Sequence, residues 1–208
     1  MTQNHSKIIS NYFNTLYPNP KCMLNYSNDF EFLIAVCLSA QTTDIKVNEV
    51  TKILFKKYKT VKDLANARIN DVKKIIKPLG LSNIKSSNII ELSKALLNKY
   101  NGKVPSDRED LMNLKGVGRK TANLVLSECF NLDTFPVDTH INRISKRLKI
   151  ALKDDDINTV EEKLMKYFPS SKWNRLHHQF IYFGRDICKS RKPLCNKCKL
   201  KSICGNVS

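Results

Sequence analysis

The chain has 208 residues and a formal net charge of +17, from 36 Lys and Arg against 19 Asp and Glu. A charge surplus of this size favours a polyanionic partner such as nucleic acid, although a lysine-biased composition alone also produces it. The sequence shows neither a secretory signal nor an apolar run long enough to cross a bilayer, so we expect a cytosolic protein whose seven cysteines do not form a disulfide framework.

Helical periodicity dominates the sequence. Apolar residues recur at every third or fourth position in six segments, which are 29–39, 47–58, 72–80, 87–100, 123–130 and 160–168. No run of alternating apolar and polar residues, the pattern of a half-buried strand, competes with them. We therefore predict an all-α protein made of short helices and short connections.

Cap and stop signals predict where some of these helices begin and end. An Asn-Gly pair at 101–102 is predicted to end the helix before it. Ser106 and Glu109 have the spacing of a capping box, which predicts a helix that begins at Ser106. Asn158 and Glu161 have the same spacing and predict a second helix start.

The segment "LKGVGRKTAN" (114–123) places two glycines before a predicted helix that runs from about Arg119 to Phe130. Gly116 and Gly118 permit positive φ and a close approach of the backbone to another molecule. The first N–H groups of the following helix have no intrahelical partner, and the helix dipole favours an anion there. The two glycines and Arg119 are therefore candidate contacts to a nucleic-acid phosphate in a helix-hairpin-helix, and an ordinary tight turn is the alternative.

Two charged residues are candidates for covalent chemistry on a nucleic acid. The amine of Lys120, once neutral, can attack a sugar C1′ and form a Schiff base, and a neighbouring cation such as Arg119 favours the neutral form. Asp138, in "FPVDTHINR", is predicted to cap a helix that begins at Thr139. A carboxylate beside the amine can also stabilise positive charge on the sugar or assist proton transfer. The simpler alternatives are a phosphate contact for Lys120 and a helix cap for Asp138.

Four cysteines near the end of the chain have the spacing C-x6-C-x2-C-x5-C, and they are Cys188, Cys195, Cys198 and Cys204. Four thiolates in so short a segment can surround one metal centre, and the spacing leaves zinc and a [4Fe–4S] cluster as alternatives. The loop "KSRKPL" joins the first two cysteines. Because metal binding would fix both of its ends, Lys189, Arg191 and Lys192 are predicted to form a rigid cationic edge that contacts DNA phosphates, with a solvated charge run as the alternative.

The order and distances of these motifs resemble endonuclease III, a family of bifunctional DNA glycosylases and apurinic/apyrimidinic (AP) lyases. "LKGVGRKTAN", "VDTHINR" and the cysteine tail carry the resemblance, and "LSAQTTD", "NGKVPSDREDL" and "GRDICKSRKPLC" extend it over about residues 25–204. The resemblance implies a two-domain helix-hairpin-helix DNA glycosylase fold, with one helical domain of 22–132 and a cluster domain of 1–21 plus 133–208. It also implies a [4Fe–4S] cluster rather than zinc, held by the four cysteines.

The resemblance assigns roles to individual residues. Lys120 matches the Schiff-base nucleophile and Asp138 the catalytic carboxylate. Gln41 matches the residue that fills the gap left by a flipped base, and Leu81 matches an apolar wedge between bases; both roles suit an enzyme that must extrude a nucleotide to reach C1′. Lys115 departs from the family, which usually has proline before the first hairpin glycine.

The function implied by the resemblance is excision of oxidised pyrimidines from duplex DNA, followed by cleavage 3′ to the abasic site by β-elimination, in base excision repair. The expected partner is double-stranded DNA containing damaged bases or abasic sites, and we expect a monomer associated with the nucleoid. Two alternatives are an adenine-specific mismatch glycosylase, which usually lacks the lysine, and a non-catalytic helix-hairpin-helix DNA-binding protein with a structural metal.

Overall fold

Helices make up all the regular structure in the described residues. The computed structural model describes residues 2–206, and no strand occurs among them, which confirms the predicted all-α class. The α-helices are α1 (Thr2–Leu16), α2 (Asp29–Leu38), α3 (Asp44–Lys57), α4 (Val61–Ala65), α5 (Ile69–Ile76), α6 (Ser82–Tyr100), α7 (Arg108–Met112), α8 (Arg119–Phe130), α9 (Thr139–Arg147), α10 (Ile157–Tyr167) and α11 (Trp173–Asp186). Short 3₁₀ turns lie at Lys77–Leu79, Ser170–Lys172, Cys195–Lys197 and Lys201–Ile203.

The predicted bounds of three helices are confirmed. The helix α6 ends at Tyr100, and the following Asn101 has a left-handed backbone with φ of 51°. The N–H of Gly102 donates to the carbonyl of Leu96 at 2.9 Å, which is the bond pattern of a helix stop. The helix α8 spans Arg119–Phe130 and α9 begins at Thr139, as the sequence predicts.

Two predicted helix starts are wrong because an aspartate caps the helix instead. The helix α7 is capped by Asp107, whose carboxylate accepts from the N–H groups of Glu109 and Asp110, so the helix does not begin at Ser106. The helix α10 is capped by Asp156, two residues before Asn158. Ser, Asn and Asp cap helices about equally well. Where two of them lie within three positions of each other, a capping-box spacing alone does not show which one is the cap.

The described residues form two compact units. One, the central unit, is Cys22–Asn131; the other, the terminal unit, joins the described residues up to Lys21 with those from Leu132 onward. The division into a helical domain of 22–132 and a cluster domain of 1–21 plus 133–208 stays a prediction.

The core of the central unit is built around α2. Its sequence "DFEFLIAVCL" is apolar on all sides, and Phe32, Leu33 and Ile34 are fully buried. The helices α3, α6 and α8 pack against it, and α6 also contacts α4 and α5. A continuous apolar cluster runs from Leu24 to Leu126 through these helices, so the loops between them are held by a rigid scaffold.

The core of the terminal unit is rich in aromatic side chains. The helix α11 packs against α9 and α1, and the ring of Phe13 lies 4.9 Å from Phe180 and 5.0 Å from Phe183. Burying each such ring contributes about 2–3 kcal/mol to folding. None of the helices between Thr2 and Asn206 combines the length and the apolar content needed to span a membrane.

Candidate nucleic-acid interface and metal centre

The glycine hairpin between α7 and α8 is anchored by apolar residues and exposes its glycines. Leu114 and Val117 are buried, and the N–H of Val117 donates to the carbonyl of Leu114 at 3.1 Å. Gly116 lies at the surface with φ of 81°, and a Cβ at this position would come within 2.9 Å of the Asn88 side chain. Only glycine meets both demands without strain, which explains the first glycine of the motif.

The second glycine begins α8 and leaves its first turn open. Gly118 is the N-cap of the helix, and no side-chain hydrogen bond caps it. A Cβ on Gly118 would meet nothing within 4 Å, so there is room for another molecule beside this backbone. Arg119 and Lys120 follow as the first two residues of the helix, and the side chain of Lys120 is exposed. The hairpin therefore presents the positive end of a helix and a lysine amine on one short segment.

Asp138 caps α9, as its sequence context predicts. Its Oδ1 accepts a 2.7 Å hydrogen bond from the N–H of Ile141, and its backbone is extended. The residue is half-buried. The carboxylate thus has a fixed orientation at the start of a nine-residue helix.

His140 lies in the first turn of the same helix, where its surroundings disfavour the charged imidazolium. Burial lowers its pKa below the ordinary 6.5, and the cations Arg143 and Arg185 lower it further, although Asp138 opposes them. Its Nδ1 lies 3.2 Å from a guanidinium nitrogen of Arg143. A ring nitrogen that carries no proton can accept a hydrogen bond from this guanidinium. A Cβ on Gly184 would lie 2.7 Å from that Nδ1, so the glycine leaves the space that this ring occupies.

Gln41 and Leu81 lie on two loops of the central unit, between α2 and α3 and immediately before α6. Both are exposed, Leu81 by 53%. Both also have left-handed backbones, with φ of 56° at Gln41 and 49° at Leu81. Positive φ is uncommon outside glycine and identifies both loop tips as conformationally constrained.

The four C-terminal cysteines line one pocket, which is partly open to solvent. Burial raises the pKa of Cys198, and the neighbouring thiolates of Cys188, Cys204 and Cys195 raise it further. Four cysteine sulfurs that line one pocket are a donor set that suits a cationic metal centre once their protons are lost. Among the described residues, no group of three or more His, Cys, Asp or Glu side chains surrounds a point closely enough to hold a single ion.

Two arginines of α9 hold the loop between Cys188 and Cys195. Arg143 donates to the carbonyls of Gly184 and Cys188, and Arg147 donates to those of Lys189 and Ser190. A guanidinium nitrogen of Arg147 also lies 3.3 Å from the Cys188 sulfur.

The side chains of Lys189, Arg191 and Lys192 on this loop are exposed, while the loop backbone is fixed at its start.

The predicted site residues fall into separate groups in the structure. Gly116, Gly118, Arg119 and Lys120 share the hairpin; the four cysteines share their pocket. Lys120 belongs to the central unit and Asp138 to the terminal unit.

Sequence reasoning missed three cations that hold loops in place. Lys85 donates to the carbonyl of Ala40, beside Gln41, and Arg143 and Arg147 bind Cys188 at the start of the cysteine loop. The partners in these hydrogen bonds are 41 to 45 positions apart in the sequence. The four-residue spacing of Arg143 and Arg147 does put them on one helix face, but it does not say which segment they face.

The chain is similar to a known protein family and to proteins of several bacteria. The profile described as "HhH-GPD superfamily base excision DNA repair protein" matches residues 34–170. Endonuclease III of Bacillus subtilis (strain 168) is 46% identical over 189 residues, which cover 91% of this chain and 86% of that protein. Endonuclease III of Escherichia coli (strain K12) is 44% identical over 187 residues, 90% of this chain and 88% of that one.

Solved structures are similar over almost the whole chain. A trapped endonuclease III–DNA covalent intermediate has a TM-score of 0.95 at 43% identity and covers 99% of this chain and 96% of its own. A thermostable thymine-DNA glycosylase has a TM-score of 0.89 at 26% identity, covering 98% and 97% of the two chains.

Proposed function

This chain belongs to the endonuclease III family within the HhH-GPD superfamily of base excision DNA repair proteins, and we propose that Lys120 is its Schiff-base nucleophile. The chain is a bifunctional DNA glycosylase and AP lyase that acts on oxidised pyrimidines. The observation that carries the residue assignment is the hairpin, where an exposed lysine amine lies in the first turn of α8 beside uncapped backbone N–H groups. These donors hold a phosphate while the amine reaches the adjoining sugar.

The proposed reaction proceeds through the lysine amine, proton transfers and water, and it requires no oxidant. The neutral amine of Lys120 attacks C1′, the bond from C1′ to the base breaks, and the base leaves with a proton. The sugar ring opens to give a Schiff base between Lys120 and C1′. Loss of a proton from C2′ then expels the 3′ phosphate, and water releases the lysine.

Asp138 is the proposed carboxylate partner of this reaction. Its negative charge stabilises positive charge that develops on the sugar as the base departs. Its hydrogen bond to the N–H of Ile141 fixes the carboxylate, so no reorganisation is needed when that charge appears. Burial lowers the pKa of the neighbouring His140, which disfavours a competing cation beside the carboxylate.

Gln41 and Leu81 are the proposed residues that enter the base stack. Extruding a nucleotide leaves a gap, and its free-energy cost of a few kcal/mol is offset when side chains fill that gap. Both residues are exposed at constrained loop tips, which suits insertion into a duplex.

A [4Fe–4S] cluster is the proposed cofactor, with Cys188, Cys195, Cys198 and Cys204 as its ligands. The pocket that the four cysteines line supports it. When bound, the cluster supplies structural closure of the cysteine loop. Arg147 offers its guanidinium to the Cys188 sulfur and holds the backbone that carries Lys189. Purified protein is expected to be brown with about four irons per chain; a colourless, fully active preparation with one zinc would overturn the assignment.

The proposed substrate is double-stranded DNA that contains a damaged base or an abasic site. The charge of +17, the exposed hairpin glycines, Arg119 and the cationic edge of Lys189, Arg191 and Lys192 support binding to the phosphate backbone. We expect the chain to act as a monomer at the nucleoid, where its substrate lies.

A panel of duplexes tests the proposal, each with one defined base lesion or an abasic site. We expect strand cleavage at oxidised pyrimidines and at the abasic site, and a covalent protein–DNA adduct when borohydride is added. A protein that removes adenine from a mismatch without forming an adduct would be a mismatch glycosylase. One that binds the duplexes and leaves every strand whole would be a DNA-binding module.

A further inference from the structure

A buried ammonium group joins two loops of the central unit. Lys85, on the first turn of α6, is only 5% exposed. Its Nζ donates to the carbonyl of Ala40 at 2.9 Å, to Oγ1 of Thr42 at 3.0 Å and to the carbonyl of Leu79 at 3.0 Å. An ammonium has three donors, and here each has an acceptor. Lysine is almost never buried to this degree unless hydrogen bonds or ion pairs satisfy its charge. The position of this buried ammonium therefore suggests a specific structural role.

The three acceptors lie on either side of the two loop tips. Ala40 and Thr42 are the neighbours of Gln41 in the chain, and Leu79 lies two residues before Leu81. The hydroxyl of Thr42 also lies 2.9 Å from the carbonyl of Leu79, so it adds a second link between the loops. The backbone N–H of Lys85 donates to the carbonyl of Leu81 at 2.9 Å. One residue therefore contacts both loops, and it contacts the second through its backbone as well.

Both loop tips need such support. The left-handed backbones of Gln41 and Leu81 are unfavourable for side-chain-bearing residues and persist only where surrounding contacts hold them. Carbonyl groups that converge on a cation can hold such backbones firmly, because hydrogen bonds from a charged donor are about twice as strong as neutral ones. Burial lowers the pKa of Lys85 from its ordinary value, as expected for a cation removed from water.

We propose that Lys85 is a positioning residue that ties the Gln41 loop to the Leu81 loop, so that the two side chains enter a duplex as one preformed unit. This inference rests on the proposed function, in which Gln41 and Leu81 fill the gap left by an extruded nucleotide. A nucleotide is extruded only from a stacked, paired strand. The contribution of Lys85 is therefore specific to duplex substrates, and it does not extend to the chemistry at Lys120.

The test compares one abasic site in two settings, a fully paired duplex and a single strand. Lys85→Met keeps the length of the side chain but removes the ammonium donors. We expect single-turnover cleavage of the duplex to fall about 10- to 100-fold, the loss that a small misplacement causes, while cleavage of the single strand stays close to the wild-type rate. Lys99→Met is the matched control, since it removes an exposed lysine from the same helix; we expect it to preserve the ratio of the two rates.

Circular dichroism melting establishes that each variant is folded at the assay temperature. If Lys85→Met is folded and lowers both rates equally, or lowers neither, the inference is wrong. If Lys85→Met does not fold, Thr42→Val decides, because it removes the hydroxyl link and keeps two carbonyl acceptors for Nζ. A selective loss on duplex supports the inference, and an equal loss or no loss overturns it. Failure of the proposed function is separate, since wild-type protein would then cleave neither substrate.

Discussion

Asp138 shows how two roles can belong to one carboxylate. Its Oδ1 caps α9 through the N–H of Ile141, and the same group is the proposed stabiliser of positive charge on the sugar. The two roles make different demands, because an N-cap needs only an oxygen acceptor while charge stabilisation needs the negative charge.

Substitutions at Asp138 separate these roles. Asp138→Asn keeps an amide oxygen for the cap, so we expect the free energy of unfolding to change little while base removal slows by about 100-fold or more. Asp138→Ala loses both, and we expect a further loss of about 1 kcal/mol in the free energy of unfolding. Urea denaturation and single-turnover excision on a lesion duplex measure the two effects. If Asp138→Asn removes the base at the wild-type rate, Asp138 is a helix cap and no more.

For single residues, the sequence predicted the conformation where the hydrogen-bond partner is a near neighbour in the chain. Asp138 and the two residues of the 101–102 stop were predictable because their partners lie within six positions along the chain. The caps of α7 and α10 were not, because an aspartate and a serine or asparagine compete within a few positions. Lys85 was beyond prediction, since Ala40 lies 45 positions away and only tertiary packing brings it near.

Among the elements, the hairpin before α8 depends most on backbone conformation. Gly116 combines a φ of 81° with a neighbouring Asn88 that leaves little space for a Cβ. Gly118 has a φ of −99°, which any residue adopts, and open space around it. The two glycines of one motif are therefore retained for different reasons, the first for conformation and the second for access.

Alanine substitutions distinguish these reasons. Gly116→Ala places an L-residue in the left-handed region, so we expect a loss of about 1–2 kcal/mol in the free energy of unfolding, with weaker binding to undamaged duplex. Gly118→Ala, the matched change, is expected to cost less stability because neither strain nor a clash arises. Urea denaturation measures both, and equal losses would contradict the assignment.

The turn between α9 and α10 is held by a carboxylate whose pKa is shifted. Oδ2 of Asp155 accepts from Nζ of Lys163 and from the N–H of Leu152, both at 2.6 Å, and Lys146 donates to its carbonyl. The hydrogen bond from Lys163 and then that from Leu152 lower the pKa of Asp155 below the ordinary 3.8. A depressed pKa stabilises the folded state above the ordinary value, and this stabilisation is lost as the pH falls through the lowered one.

We therefore predict a pH-dependent effect of Asp155→Asn. The variant should melt at a lower temperature than wild type at pH 7, and the difference should narrow as the pH falls below 3.8. Asp154→Asn is the matched control, because it removes the same charge from an exposed neighbour. Melting curves between pH 7 and pH 2 test this; a difference that is constant over this range would show that the carboxylate charge is not responsible.

Considered as a whole, the molecule carries its charge of +17 on both units, and net charge alone does not identify a binding face. The cysteine loop is more specific, since Arg147 fixes the backbone at Lys189 and Ser190 while the cationic side chains point outward. The sequence predicted the exposed charges of this loop but not the arginines that hold it.

The salt dependence of DNA binding measures how many phosphates this loop contacts. Arg191→Ala with Lys192→Ala should lower the slope of log affinity against log salt by about two, one for each contact, on damaged and undamaged duplex alike. Lys153→Ala with Lys166→Ala removes the same charge from two exposed lysines elsewhere in the terminal unit and should preserve the slope. An unchanged slope in the first double variant would show that the loop is not a phosphate contact.

The identity of the nucleophile is the central claim of this account, and peptide mapping of the borohydride-reduced adduct tests it most directly. Wild-type protein is incubated with abasic duplex and borohydride, digested, and analysed by mass spectrometry for the residue that carries the sugar remnant. We predict that the remnant is on Lys120, and that Lys120→Gln binds the same duplex but forms no adduct, since an amide cannot form a Schiff base. An adduct at any other amine, or substantial cross-linking by Lys120→Gln, would contradict the account.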